Sequence, residues 1–164
     1  AVRQTKTRRV GVIGTTATIH SGAYETAIHR LDPAVKVFSQ SCPLFVPLVE
    51  EGWLNGSISL EVAQRYLQPL MRQRIDTLIL GCTHYPLLAS TIQRVLGPRV
   101  ALVDSARQTA SEVRGVLLGS DTLCDRRTKP RYRFFVTDEP AHFNRIGHHF
   151  LSQVVGSVER VNSH

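Results

Sequence analysis

Two periodicities alternate along this chain. Short apolar runs that close on glycine or on a turn residue are followed by stretches in which apolar side chains recur every three or four positions. The first kind suits a strand buried on both faces of a parallel sheet, the second an amphipathic helix. Arg9–Gly14, with Val10, Val12 and Ile13, is the first such strand, and Tyr24, Ala27, Ile28 and Leu31 then fall at helical spacing. Pro33 ends that helix, and Val35–Phe38 reads as a second strand. Ser41–Gly52 is apolar but punctuated by Pro43 and Pro47, which argues for a shaped loop and against a regular helix or central strand. From Ser59, a fair N-cap, Val62, Tyr66 and Leu70 share a helical face with Ala63, Leu67 and Met71. Thr77–Leu80 is a third strand, and Leu88, Ile92 and Val95 predict a helix that Gly97 and Pro98 terminate. Val100–Val103 is a fourth strand. Four alternations of strand and helix predict an α/β fold, a three-layer sandwich around a right-handed parallel sheet.

The remainder is less regular. Ser105–Leu118 reads as a helix with Ala106, Thr109, Val113 and Leu117 inward, Gly119–Pro130 as a polar, basic connection, and Tyr132–Val136 as a strand. Phe143, Ile146, His149 and Phe150 mark a last helix. Residues 1–8 are polar and basic and read as a linker or a frayed start.

Composition adds bounds. A chain of 164 residues, 42% apolar and 20% charged, is long enough for an ordinary globular core. Its net charge of +7 raises the question of an anionic partner, but the densest basic runs, Lys6–Arg9 and Arg126–Arg133, are not interleaved with aromatic residues. They read as solvated faces, and nucleic acid is not expected as a partner. Cys42, Cys82 and Cys124 lie far apart without metal-ligand or disulfide spacing, so neither a metal nor a disulfide framework is expected and a reducing cytoplasm is the default location. No apolar run is long enough for a membrane helix, and no signal-peptide pattern opens the chain. A first residue of Ala1 instead of Met is read as an internal start.

The candidate chemistry centres on Asp76–Pro86. Its strand stops at Gly81 and delivers Cys82, Thr83 and His84 in succession, at the strand end where ligands sit in open α/β sheets. A lone cysteine is usually a buried small hydrophobe. Beside a hydroxyl and an imidazole, however, a thiolate is favoured that can serve as base, nucleophile or ligand, and both readings stand on spacing alone. Thr15, Thr16 and Thr18 follow the first strand, where a helix cap explains one threonine and a bound carboxylate would use several. Glu50 closes the apolar Ser41–Gly52 stretch, either exposed or partly buried with a raised carboxyl pKa.

Gly81-Cys82-Thr83-His84-Tyr85-Pro86-Leu87-Leu88 resembles the second catalytic-cysteine motif of the glutamate racemases, within the aspartate/glutamate racemase superfamily. Further matches are Gly14-Thr15-Thr16-Ala17-Thr18 leading to Ser21-Gly22-Ala23-Tyr24, Cys42-Pro43-Leu44-Phe45-Val46-Pro47-Leu48-Val49-Glu50-Glu51-Gly52, Val103-Asp104-Ser105-Ala106 and Phe135-Val136-Thr137-Asp138. They run through most of the chain and correspond to the later part of the family's length. The resemblance implies cofactor-independent interconversion of L- and D-glutamate by two cysteines, supplying D-glutamate for peptidoglycan. Cys82 would be the base and acid for one face of the α-carbon, His84 and Glu50 would support it, and Thr83, Thr15, Thr16 and Thr18 would bind substrate. It further implies that residues 9–104 form a second α/β domain and that 105–164 return to a first domain whose main part precedes Ala1; a homodimer is compatible with it.

One departure from the family is large. The first catalytic cysteine, in a Cys-Asn-Thr context, and the Asp-Ser pair well before it do not occur here; Cys42 matches the family's Cys-Pro loop and reads as structural. Half of the site is therefore expected on this chain, with negligible racemisation by the chain alone. Two other functions fit the residues: a one-cysteine superfamily decarboxylase, and a non-catalytic domain that binds an acidic ligand or an anionic partner.

Overall fold

The computed structural model describes residues 1–124, 130–151 and 156–162. Part of the expected basic run and of the Gly119–Pro130 connection lies outside the described residues. Two compact units divide the chain, Ala1–Asp121 and Thr122–His164.

The first unit is built on four parallel strands. β1 (Arg9–Gly14) leads through α1 (Thr16–His20) and α2 (Ala23–Leu31) to β2 (Lys36–Ser41), then α3 (Phe45–Glu50) and α4 (Ser57–Arg72) lead to β3 (Thr77–Leu80). A 3-10 turn at Tyr85–Leu88 and α5 (Ala89–Leu96) follow, then β4 (Ala101–Asp104) and α6 (Ser105–Gly119). The sheet order is β2-β1-β3-β4. From β1 the chain steps outward to β2, then crosses back over β1 to place β3 on its other side. The winding thus reverses between β1 and β3, and in open parallel sheets the crevice at such a reversal, beyond the carboxyl ends of the strands, is where ligands bind.

Both faces of the sheet are covered, as the unbroken apolar runs require. Ile13, Leu78 and Leu80 point into a core completed by Phe45, Leu48, Val49, Ala63, Leu67, Leu70 and Ile92 from α3, α4 and α5. Val10, Val12 and Ile79 point the other way, to Ile28, Val35 and Val103. All four residues of β3 are buried. Each large aliphatic side chain so placed contributes about 1.5–3 kcal/mol, which makes β3 a rigid support for whatever follows it.

Several expected details differ. Ser41–Gly52 is not loop throughout, because Pro47 falls in the first turn of α3, where an amide proton has no intrahelical partner to lose. The residues after Thr15 form the short α1 before α2 begins. β2 runs on to Ser41, each of its residues paired with β1. Ser59 does not cap α4: the helix begins at Ser57, and the buried Ser59 hydroxyl donates to the Gly56 carbonyl. Leu31 and Met71 lie at helix ends and stay exposed, 76% and 44%, because their faces turn past the edge of the core.

α6 is helical as expected, with Asp104 as its cap: one carboxylate oxygen accepts from the amides of Ala106 at 2.9 Å and Arg107 at 3.3 Å. Its expected inward face is not buried, since Ala106, Thr109 and Val113 are exposed and Leu117 only half-buried. Helical spacing identifies which side chains share a stripe; it does not supply the surface that covers them.

The second unit pairs β5 (Phe134–Val136) in parallel with β6 (Val158–Arg160), a strand without a sequence signal, beside α7 (Pro140–Leu151). The Phe134 ring lies between those of Tyr132 and Phe143, with centroids 6.4 and 5.9 Å away. Two strands of three residues give little cover, so Phe143, His149 and Phe150 remain exposed while Ile146 is half-buried.

Residues 1–8 are tied down and not frayed. Ala1 and Val2 pack on the second core, and the Asp76 carboxylate accepts from the Thr5 hydroxyl at 2.6 Å and from the Lys6 and Thr7 amides, both at 2.7 Å. Partial burial alone raises the Asp76 carboxyl, but donation from Thr5, Thr7 and Lys6 outweighs it and holds the pKa at about 2. Below the ordinary carboxylate value of about 3.9 the unfolded chain takes up a proton that the folded one refuses. The Asp76 contribution to stability is therefore complete above about pH 4 and is lost as the pH falls through about 2. Urea unfolding between pH 2 and 5 is expected to show this slope in the wild type and a shallower one in Asp76→Asn; equal slopes would discount the clamp.

Candidate active site at the carboxyl end of the sheet

The carboxyl ends of β1, β2, β3 and β4 bring Thr15, Cys42, Cys82 and Ser105 to one edge of the sheet. Ile13 pairs with Leu80, so Thr15 and Cys82 leave neighbouring strands at the point where the winding reverses. The amide of Gly81 donates to the Ile13 carbonyl at 2.8 Å, which carries the β1–β3 ladder one step beyond β3. An added Cβ at Gly81 would stand 2.7 Å from that carbonyl oxygen and 3.0 Å from the Tyr24 ring. Glycine is thus required by close approach, and it ends the strand directly before the thiol.

Cys82 is a half-buried free thiol packed at the margin of the larger core. The three cysteines divide clearly. Cys124 is exposed, whereas Cys42 is fully buried and burial pushes its thiol far up from its ordinary value, leaving it to packing.

His84 connects the thiol's turn to α3. Its Nε2 lies 3.5 Å from Glu50 Oε1, and its Nδ1 lies 3.3 Å from the Thr83 hydroxyl. The side chains of His84 and Glu50 keep 24% and 34% of their exposure, so the pair is neither sealed nor fully solvated. Glu50 reaches it from the last residue of α3, whose Phe45, Leu48 and Val49 are buried. The pairing joins residues on separate elements, which no local pattern specifies.

The threonines separate as well. Thr15 caps α1, its hydroxyl accepting from the Thr18 amide at 3.3 Å, and the two hydroxyls lie 2.9 Å apart. Thr16 is exposed. A pair of hydroxyls and the thiol thus stand beyond adjacent strand ends, while Thr83 and His84 follow the thiol along the chain and Glu50 lies against His84. Tyr85, fully buried directly after His84, carries no sequence signal of its own beyond its place in the motif. Among the described residues no group of three or more His, Cys, Asp or Glu side chains could hold a metal ion. No described helix is long and apolar enough to cross a membrane.

Comparison with known proteins gives this edge a lineage. The sequence profile of the Asp/Glu/hydantoin racemases matches residues 1–113. The chain belongs to that family. Within the racemase family, a glutamate racemase from Syntrophus aciditrophicus (strain SB) is 50% identical over 161 residues, which is 98% of this chain and 60% of the relative. Glutamate racemase isoform RacE1 from Bacillus anthracis superposes with a TM-score of 0.87 at 38% identity, over all of this chain and 60% of that one. The glutamate racemase from Francisella tularensis, solved in complex with D-glutamate, gives 0.86 at 39% identity over 96% of this chain and 59% of its own. This racemase-family chain therefore spans about 60% of the length of the relatives it matches and corresponds to their later part.

Proposed function

We propose that the full-length protein containing this chain interconverts L- and D-glutamate by proton transfer at the α-carbon, with Cys82 as the acid and base on one face. The observation that carries the reading is the thiol of Cys82 at the β1–β3 reversal, one turn from a His84–Glu50 pair at 3.5 Å. Abstraction of an α-proton needs a base fixed near the carbon and donors for the developing charge. The Cys82 thiolate takes the proton from one face, its electron pair forming the S–H bond while the C–H pair stays on carbon as a carbanion. A thiol on the opposite face, supplied by a part of the protein outside this chain, returns a proton to carbon. In the reverse direction the two exchange roles, so neither metal nor pyridoxal group is needed.

In this scheme His84 orients or reprotonates Cys82 and Glu50 supports His84. Thr83 and the Thr15–Thr18 hydroxyls bind substrate polar groups, with Thr16 as a further donor on the same turn. Residues 105–164 return to the first domain, and a homodimer is compatible with this reading. D-Glutamate made in the cytoplasm would feed peptidoglycan synthesis.

The test is α-proton exchange in deuterated water. The full-length protein is expected to wash deuterium into both L- and D-glutamate, and the 164-residue chain into neither at a measurable rate. Exchange of neither enantiomer by the full-length protein would sink the racemase reading. Full activity in the isolated chain would sink the half-site.

A further inference from the structure

α3 has no evident stability of its own. Its six residues make fewer than two turns, Leu44 offers no side-chain cap, and a helix of this length is not stable alone in water. Yet Glu50, its last residue, meets His84 with a definite geometry. What holds it is a cluster of three aromatic residues at the helix's amino end. The Phe45 ring lies edge-on between Tyr66 and Tyr85, at centroid distances of 5.4 and 5.2 Å. The Tyr66 hydroxyl accepts from the Leu44 amide at 3.3 Å. The Tyr85 hydroxyl donates to the Cys42 carbonyl at 2.9 Å, a fully buried contact.

Tyr85 differs from the other two in its place along the chain. It follows His84 directly, so one residue is bonded covalently to one member of the pair and by hydrogen bond to the segment that leads into α3 and the other. We propose that Tyr85 is the positioning residue that sets Glu50 against His84, making the turn after Cys82 and the end of α3 move as one body. The inference rests on the proton-transfer role proposed for that pair. It gives a task to a buried hydroxyl that core packing alone would not require, since phenylalanine fills the same volume without a polar atom to satisfy.

Tyr85→Phe in the full-length protein retains the ring and removes the side-chain donor to the Cys42 carbonyl, which keeps only the Phe45 amide at 3.1 Å and loses its tie to the turn after Cys82. Loss of one such bond is expected to lower kcat about fivefold, with KM for glutamate held within about twofold. A positioning role predicts that this loss vanishes in a Glu50→Gln background, because there is then no carboxylate to place. Amide hydrogen exchange gives a second readout: Leu48, Val49 and Glu50 are expected to exchange faster in Tyr85→Phe while the amides of α4 are unchanged. An equal loss of kcat in both backgrounds, or unchanged exchange in α3, overturns the proposal. Should Tyr85→Phe fail to fold, Tyr66→Phe loosens the same helix from the Leu44 side and must show the same background dependence or the proposal falls. A wild type without glutamate exchange would count against the racemase reading instead, and the amide measurements would still decide whether Tyr85 positions α3.

Discussion

Cys82→Ser in the full-length protein is expected to lower racemisation in both directions by at least 10²–10⁴-fold, the range over which a positioned acid or base contributes, with folding unchanged. The substitution removes no more than the sulfur. Serine is close in size, Cys82 is half-buried at the core margin, and a hydroxyl there can be solvated. What disappears is the thiol itself: an alcohol is a far weaker acid than a thiol and does not supply the corresponding base. In the proposed scheme each turnover uses one group to take the proton and the other to return it, so losing either would stop both directions. Circular dichroism of the amino acid measures the rate, and that of the protein confirms the fold. Near-wild-type racemisation by Cys82→Ser would remove Cys82 from the chemistry and turn attention to the part of the protein outside this chain.

Gly81→Ala is expected to destabilise the protein by about 1–3 kcal/mol, the usual cost of forcing an extra methyl into a packed site, and to depress activity beyond what the lost stability explains. The Cβ would meet the Ile13 carbonyl at 2.7 Å, and that carbonyl already accepts from the Gly81 amide. β1 is the second strand in a sheet of four and is paired on both sides, so the oxygen cannot withdraw; Gly81 must move and Cys82 with it. Gly11→Ala provides the comparison. Its Cβ would lie just as close, at 2.7 and 2.9 Å, to the terminal methyls of Ile75 and Leu78, which can rotate away. Chemical unfolding should therefore rank Gly81→Ala as the more damaging, with activity affected at Gly81 alone. The reverse ranking would mean that the end of β3 is softer than its hydrogen bonding indicates.

How much of this was legible beforehand depended on whether the cause was local. β1 and β3 follow from apolar runs closed by glycine, and the placing of Cys82 beyond a strand end follows with them. α3 was hidden because the effect of Pro47 depends on its position within the helix: in the first turn it costs no hydrogen bond, and only the completed fold shows where that turn begins. The aromatic stripe of α7 and the apolar stripe of α6 were both readable as helices, but exposure is a property of neighbours and has no trace in spacing. The Asp76 clamp and the meeting of Glu50 with His84 are contacts between distant parts of the chain. For the second, resemblance supplied what periodicity could not. β5 lies within the Tyr132–Val136 run that reads as a strand, whereas β6 left no signal because a strand of three residues is too short for alternation to be recognised.

The two-sided burial of β3 also limits how the family can vary in length. Leu78 and Leu80 serve one core and Ile79 the other, so a single insertion or deletion between Asp76 and Cys82 would exchange the two sets and turn the thiol to the opposite face of the sheet. Substitutions can accumulate in this stretch so long as each layer keeps its volume. Changes of length cannot. They are tolerated instead where backbone is exposed and away from the thiol, as at Pro98–Arg99 before β4. A library of chimeras joined there would preserve the spacing from Asp76 to Cys82, whereas junctions inside β3 that add or remove one residue would yield no active member.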